Sequence, residues 1–278
     1  MKKISIIGCG LIGGSFAALV KKFSPSTEVI GFGRRKEPLE LAKKNNIIDG
    51  FELTINPNTL SSSDAIIIAS PIATVLPIID ELTKTISKPK TIIEFSSVKS
   101  FLNNDIVRHS HHNIIGMHPM GGLDVQGLEH ASSSVLEGCP MIIFDTENPI
   151  NDWIKSCSFQ LIECPSYTIH DEWMMNVSHG PYIIASVLPQ ILAEKNDQEL
   201  SQLQMVSAGG FRDTTRVSNS AIEWGLDILK GNKANAIAFI HQITQSLESL
   251  RSHLENDKDH DLNEWLTMAK KTRNKIAK

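Results

Sequence analysis

Three short segments of this 278-residue chain carry side chains suited to chemistry in surroundings that are otherwise apolar or rich in glycine. His118 lies in Gly116-Met117-His118-Pro119-Met120-Gly121-Gly122, just after an apolar run. Pro119 and the glycines constrain the turn, and an imidazole held there is suited to general-base work because its ordinary pKa is near neutrality. Ser97 lies in Glu94-Phe95-Ser96-Ser97-Val98-Lys99, at the end of another apolar run, with its hydroxyl expected to point into a ligand cleft. Arg212 and Arg216 flank Asp213, Thr214 and Thr215. Two planar guanidinium forks at that spacing fit recognition of a carboxylate, and almost as well an ion-pair cluster at a helix start.

A fourth segment reads as a cofactor site. Gly8-Cys9-Gly10-Leu11-Ile12-Gly13-Gly14-Ser15 follows the first apolar run. Gly8 permits a tight turn, Gly10 lets backbone approach a pyrophosphate, and Gly13 lets the next helix pack closely on the strand. Leu11 and Ile12 of the turn and Ser70, after a later strand, are further expected cofactor contacts. Where NAD sites usually carry an acidic residue after the second strand, this chain has Gly33, followed by Arg34 and Arg35. The two arginines favour NADP through its 2′-phosphate, while Glu37 close by leaves NAD open.

The elements that must position these groups follow from periodicity. Ile4–Ile7, Glu28–Phe32, Ala65–Ala69, Thr91–Phe95, Asn113–Met117 and Met141–Phe144 read as buried strands, and 155–165 adds one more. Helical patterns over Gly13–Lys22, Glu37–Asn45 and Ile72–Thr85 separate the first four. Alternation of this kind implies crossovers and a largely parallel sheet, so the fold class is α/β with an N-terminal Rossmann-type doubly wound sheet. After Pro165 the texture is helical, with a kink expected at Gly180-Pro181 because Pro181 has no N–H for the carbonyl of Val177. The division expected is residues 1–168 for the dinucleotide and 169–278 for a helical substrate-binding and dimerisation domain, ending in a basic, solvated tail over 270–278.

Composition narrows the setting. With 41% hydrophobic and 21% charged residues the chain is neither low-complexity nor disordered. A formal charge of −4 argues against nucleic acid as a partner. Four scattered Cys form no C-x-x-C pair and read as reduced thiols. There is no signal-peptide pattern and no run long enough to span a bilayer, so a cytoplasmic location away from membranes is expected. His109, His111 and His112 read as an exposed loop, His130, His241, His253 and His260 as surface groups, and Met174-Met175 as packing; no metal site is expected.

Taken in order, G-C-G-L-I-G-G-S, S-S-V-K at 96–99, G-M-H-P-M-G-G at 116–122, H-D-E-W…S-H-G-P over 170–181 and F-R-D-T-T-R at 211–216 resemble the prephenate/arogenate dehydrogenases of tyrosine biosynthesis, the TyrA family. That resemblance implies NAD(P)-dependent oxidative decarboxylation of a cyclohexadienol to a phenol. It assigns His118 as the base for the ring hydroxyl, Ser97 as its hydrogen-bonding partner, and Arg216 as the anchor for a substrate carboxylate. It places His179 and Tyr182 at the substrate pocket, Tyr182 standing where many members have a second His. It further implies a homodimer paired through the helical domains. Glu94 replaces a common Asp, and Ser218-Asn219-Ser220-Ala221 replaces a Gly-Asp-Pro-like turn, whereas Trp224 and Asn232 fit. Prephenate is the leading substrate and arogenate the alternative. The regulatory fusions known in the family are not expected in this chain, so any inhibition by tyrosine would act at the active site. A β-hydroxyacid dehydrogenase or imine reductase would share the glycine turn but not His118-Pro119 with Arg212 and Arg216. A non-catalytic dinucleotide sensor would not need Ser97, His118 and Arg216 together.

Overall fold

A computed structural model describes residues 1–277. The first half alternates strand and helix: β1 (Lys3–Ile7), α1 (Leu11–Phe23), β2 (Glu28–Phe32), α2 (Lys36–Lys44), β3 (Gly50–Glu52), α3 (Pro57–Ser61), β4 (Ala65–Ile68), α4 (Ile72–Thr85), β5 (Thr91–Glu94), α5 (Asp105–Arg108) and β6 (Asn113–Gly116). Six parallel strands form one sheet in the order β3-β2-β1-β4-β5-β6. Period-2 alternation feeds both of its faces. Ile67 packs with Phe16, Leu19 and Val20 of α1, whereas Ile66 and Ile68 pack with Val75, Ile79 and Leu82 of α4. The order reverses between β1 and β4, which opens a crevice at the carboxyl ends of those strands.

Met117 carries the chain out of this sheet, its N–H donating to the Glu94 carbonyl at 2.8 Å. A second sheet follows, formed by β7 (His118–Pro119), β8 (Pro140–Ile143) and, after α6 (Ile150–Ser156), β9 (Gln160–Glu163). β7 runs antiparallel to β8, with His118 opposite Ile142, and β8 runs parallel to β9. The strands expected at 141–144 and 155–165 therefore exist, shortened, but in their own sheet. β3 has only three half-buried residues at a sheet edge, and β7 has only two, too few for a periodic signal in the sequence.

Helices then take over: α7 (Tyr167–Met174), α8 (Gly180–Leu192), α9 (Asp197–Val206), α10 (Gly209–Thr215), α11 (Ile222–Gly231), α12 (Lys233–Glu255) and α13 (Asp259–Ile276). Ser166 caps α7, its side chain accepting from the Ile169 N–H. The expected kink at Pro181 takes the form of a π-helical turn over Met175–His179, with Pro181 in the first turn of α8. Widening the turn there takes up the missing N–H of proline without breaking the rod.

By compactness the chain forms one unit over Met1–Asn232 and another beginning at Lys233. The second is a helical hairpin of α12 on α13, in which His253 is half-buried and faces Asp261 at 3.6 Å; it is thus not a surface group without a partner. Of the basic tail, residues to Ile276 are helical and Lys278 lies outside the described residues. Residues 109–112 form a loop in which His109 and His111 are exposed, as expected, but His112 is buried, its Nδ1 accepting from the Lys90 N–H at 3.2 Å, and the His111 ring approaches the Ile86 carbonyl at 2.8 Å. Met174 and Met175 are buried as packing groups, and all four cysteines are free thiols.

Candidate active site

The segments leaving the carboxyl ends of β1, β4, β5 and β6 together bound a cleft of about 650 Å³. The turn after β1 supplies Gly10, Leu11 and Ile12, and the one after β4 supplies Ser70, Pro71 and Ile72. Ser97 follows β5, and His118 follows β6. The far wall comes from the helical region, including Ser178, Trp224 and Asp227.

The glycine turn fits a dinucleotide. Gly8 has φ +87°, and a Cβ there would sit 2.6 Å from the Ala69 carbonyl oxygen. A Cβ on Gly13 would fall 2.5 Å from the Gly8 carbonyl oxygen, so a side chain at Gly8 would push the turn off the end of β4 and one at Gly13 would push α1 off the first turn. No side chain caps α1, and its first turn has no acidic residue. Its amino end thus presents N–H groups and the positive end of the helix dipole to the cleft, as a pyrophosphate requires. Cys9 packs inward from the same turn, and burial pushes its thiol up to about 12, which removes it as a nucleophile. Arg34 and Arg35 follow β2 on the exposed side, with Arg35 3.7 Å from Glu129.

His118 is only 8% exposed and lines the cleft together with Ser96, Ser97 and Pro119. Its Nδ1 lies 2.9 Å from Nε2 of His170, and His170 Nδ1 lies 2.8 Å from Oδ1 of Asp171. The Asp171 carboxylate also accepts from the Lys99 N–H at Oδ1 and the Ser100 N–H at Oδ2, each at 2.8 Å. Lys99 and Glu94 form an ion pair with no exposed side-chain surface, and the Ser96 N–H donates to the same Glu94 carboxylate. Ser97 Oγ accepts from Trp224 Nε1 at 3.3 Å. Trp224 is in turn held by α11, whose Asp227 Oδ2 accepts from the Ile72 N–H at the start of α4 at 2.9 Å.

Burial sets the electrostatics. Desolvation, then the nearby charges of His170, Lys99 and His179, push the His118 imidazole well below its ordinary value. Burial also lowers His170, against the pull of Asp171. Desolvation raises Asp171, but hydrogen bonds from His170, Ser100 and Lys99 outweigh it and hold the carboxyl below the usual range. The set is thus a neutral imidazole pair backed by a carboxylate.

The remaining substrate candidates lie away from the cleft wall. His179 is wholly buried and does not line the cleft as expected; its neighbour Ser178 does. The His179 ring faces Asn232 Nδ2 at 3.2 Å, and desolvation lowers it to about 4. Tyr182 packs edge-on against Trp224, with ring centroids 5.1 Å apart, and its hydroxyl covers Gly225. Arg212 on α10 and Arg216 just after it are exposed, and no Lys or Arg among the described residues lines the cleft. Sequence alone assigns no role to His170, Asp171, Lys99 or Trp224. The available signals were the His-Asp pair opening the first helix after Pro165, and two charged residues, Glu94 and Lys99, ending an apolar run.

Comparison with known proteins shows the family. Residues 16–164 match the model of the prephenate dehydrogenase nucleotide-binding domain, and 166–268 match the prephenate dehydrogenase dimerization domain. A prephenate dehydrogenase of Lactococcus lactis is 28% identical over 98% of this chain and 77% of its own length. A cyclohexadienyl dehydrogenase of Zymomonas mobilis is 24% identical over 98% of this chain and 95% of its own. The crystal structure of prephenate dehydrogenase from A. aeolicus in complex with hydroxyphenyl propionate and NAD+ superposes with a TM-score of 0.87 at 26% identity, covering 99% of this chain and 98% of that one. With both domains matched in order around a cleft built on the glycine turn and His118, the chain belongs to the prephenate dehydrogenase family of oxidoreductases.

Proposed function

We propose that the chain catalyses NAD(P)-dependent oxidative decarboxylation of prephenate to 4-hydroxyphenylpyruvate, with His118 as general base. The observation that carries this reading is the position of His118, engaged at Nδ1 by His170 and facing a cleft it shares with Ser97 and the glycine turn. Gly8, Gly10, Leu11, Ile12, Gly13 and Ser70 would hold the dinucleotide, which when bound supplies the acceptor for the two electrons leaving the substrate's ring carbinol. His118 Nε2 accepts the ring hydroxyl proton, a task for which a neutral imidazole is required. Ser97 Oγ hydrogen-bonds the same oxygen; because it accepts from Trp224, its own proton is free to be donated. As the ring carboxylate leaves as CO₂ the ring becomes aromatic, and the imidazolium returns its proton to the phenolic oxygen. Arg216 is the proposed anchor for a substrate carboxylate, from an exposed position outside the cleft lining that it would have to reach in from, while His179 and Tyr182 back the pocket through Asn232 and Trp224.

Gly33 at the acidic position, with Arg34 and Arg35 after it, supports NADP over NAD. Functionally the division is cofactor binding over 1–168 and substrate binding with pairing over 169–278. Pairing is supported by apolar residues left open on α12, where Ile237, Leu247 and Leu254 are 59–60% exposed. No helix among the described residues is long and apolar enough to cross a membrane, which is compatible with a cytoplasmic enzyme.

One assay tests the reading: prephenate and arogenate, each offered with NADP and with NAD, following absorbance of the reduced cofactor. Turnover of prephenate with a lower KM for NADP is expected. Preferential turnover of arogenate reassigns the substrate, a lower KM for NAD reassigns the cofactor, and no turnover in any combination refutes the function.

A further inference from the structure

We infer that Asp171 is a positioning residue that sets both reacting side chains at once, orienting His118 through His170 and the Ser97 turn through the backbone of Lys99 and Ser100. This rests on the proposed roles of His118 and Ser97, and it adds a residue from the helical region to a site otherwise built on strand ends.

The base arm follows from donor and acceptor counting. An ionised carboxylate only accepts, so His170 must carry its proton on Nδ1 to meet Asp171 Oδ1 at 2.8 Å. A neutral His170 then has only a lone pair at Nε2, so His118 must donate its Nδ1 proton across the 2.9 Å contact. Every tautomer in the chain is thereby fixed, and His118 is left with a bare Nε2, the form a base needs. The same carboxylate would stabilise the positive charge that spreads over the imidazole pair when His118 takes up a proton.

The hydroxyl arm uses the remaining capacity of that carboxylate. Oδ1 and Oδ2 take the N–H groups of Lys99 and Ser100, two and three residues beyond Ser97, so the turn after β5 is pinned to α7. A second tie runs from the same residue: the Asp171 carbonyl accepts from Asn232 Nδ2 at 2.7 Å, at the end of the helix that carries Trp224. Movement of Asp171 would thus shift the base and the hydroxyl relative to one another. An amide at this position cannot satisfy all three donors. With its NH₂ toward Ser100 it opposes a backbone N–H, and with its NH₂ toward His170 it reverses the tautomers and puts a proton on His118 Nε2.

The test uses the whole 278-residue chain, wild type, Asp171→Asn and His170→Leu. Two-dimensional ¹H–¹⁵N spectra of the imidazoles, recorded without substrate, are expected to show wild-type His118 protonated at Nδ1. Steady-state assays with the substrate and cofactor the wild type uses are expected to show kcat lowered about 100-fold or more in both variants. Substrate KM and cofactor Kd should stay within about threefold, the split expected when only transition-state interactions are lost. Asp171→Asn should fall below His170→Leu, because it loses both arms. A wild-type His118 protonated at Nε2, either variant within threefold of wild-type kcat, or losses carried mainly by KM would overturn the proposal. The spectrum and His170→Leu decide it even where Asp171→Asn does not fold. Absence of wild-type turnover refutes the functional reading instead and leaves the tautomer result standing.

Discussion

Nε1 of Trp224 donates to Oγ of Ser97 across 3.3 Å, joining a helix near the end of the larger compact unit to the turn after β5, 127 residues earlier. The bond leaves the serine proton available to a ligand, and it makes the indole a support for the hydroxyl as well as a wall of the cleft. Trp224→Phe retains a ring against Tyr182 but deletes the donor. Losing one neutral hydrogen bond of about 1 kcal/mol predicts a five- to tenfold fall in kcat. Steady-state kinetics check this, with cofactor Kd as the control expected not to change.

Removing the base has a larger effect. His118→Asn keeps a polar group of similar reach but cannot take up the proton. A fall in kcat of about 10²- to 10⁴-fold is expected, with cofactor affinity nearly unchanged in calorimetric titration. By contrast, Arg216→Ala should mainly raise substrate KM, because a carboxylate pair is made in the ground state as well as in the transition state.

The pH response follows from burial. The ionisable groups facing the two imidazoles are Glu94, Lys99, Asp171 and His179. Because His118 is held well below 6.5, it remains neutral as pH falls through that value. The acidic limb of kcat/KM, which reports the free enzyme, should therefore lie below pH 6.5, and a midpoint at or above 6.5 contradicts the assignment. His179 adds a stability effect. Its folded value of about 4 lies below the unfolded 6.5, so the unfolded state binds more protons between these limits and stability is lost as pH falls through that window. This one residue contributes a loss of about 3 kcal/mol at pH 4. Thermal melts from pH 7 to 4 should show the decline, and His179→Gln should shallow it.

At the cofactor end, Gly8→Ala places a methyl 2.6 Å from the Ala69 carbonyl oxygen at a positive φ. A loss of more than about 1 kcal/mol in stability, and of cofactor affinity with it, is expected from denaturant titration and dinucleotide binding.

Asp227→Ala removes the acceptor for the Ile72 N–H at the start of α4. Loss of such a cap costs about 0.5–2 kcal/mol, read as a lower denaturation midpoint. Because α11 also carries Trp224, kcat should fall with it; an unchanged kcat would mean that α11 is held by other contacts.

Local features of the site were legible before folding. The turn Gly8–Gly13, the strand end before Ser97 and the constrained His118-Pro119 are each defined by residues within about one turn of one another, and steric rules for glycine, proline and β-branched residues act at that range. The doubly wound sheet was legible for the same reason, since hydrophobic period and crossover length are sequential properties. What supports those groups was not. His170 meets His118 from 52 positions away, Asp171 meets Lys99 from 72, and Asp227 meets Ile72 from 155. Such pairings come from the packing of α7 and α11 against strand ends, which no local propensity encodes. Packing also separated β7, β8 and β9 into their own sheet and buried His179 behind the cleft wall. Residue types and spacing determine which groups can react here; long-range burial decides their protonation, because desolvation and the carboxylate of Asp171 reach the imidazoles only once the chain has closed around them.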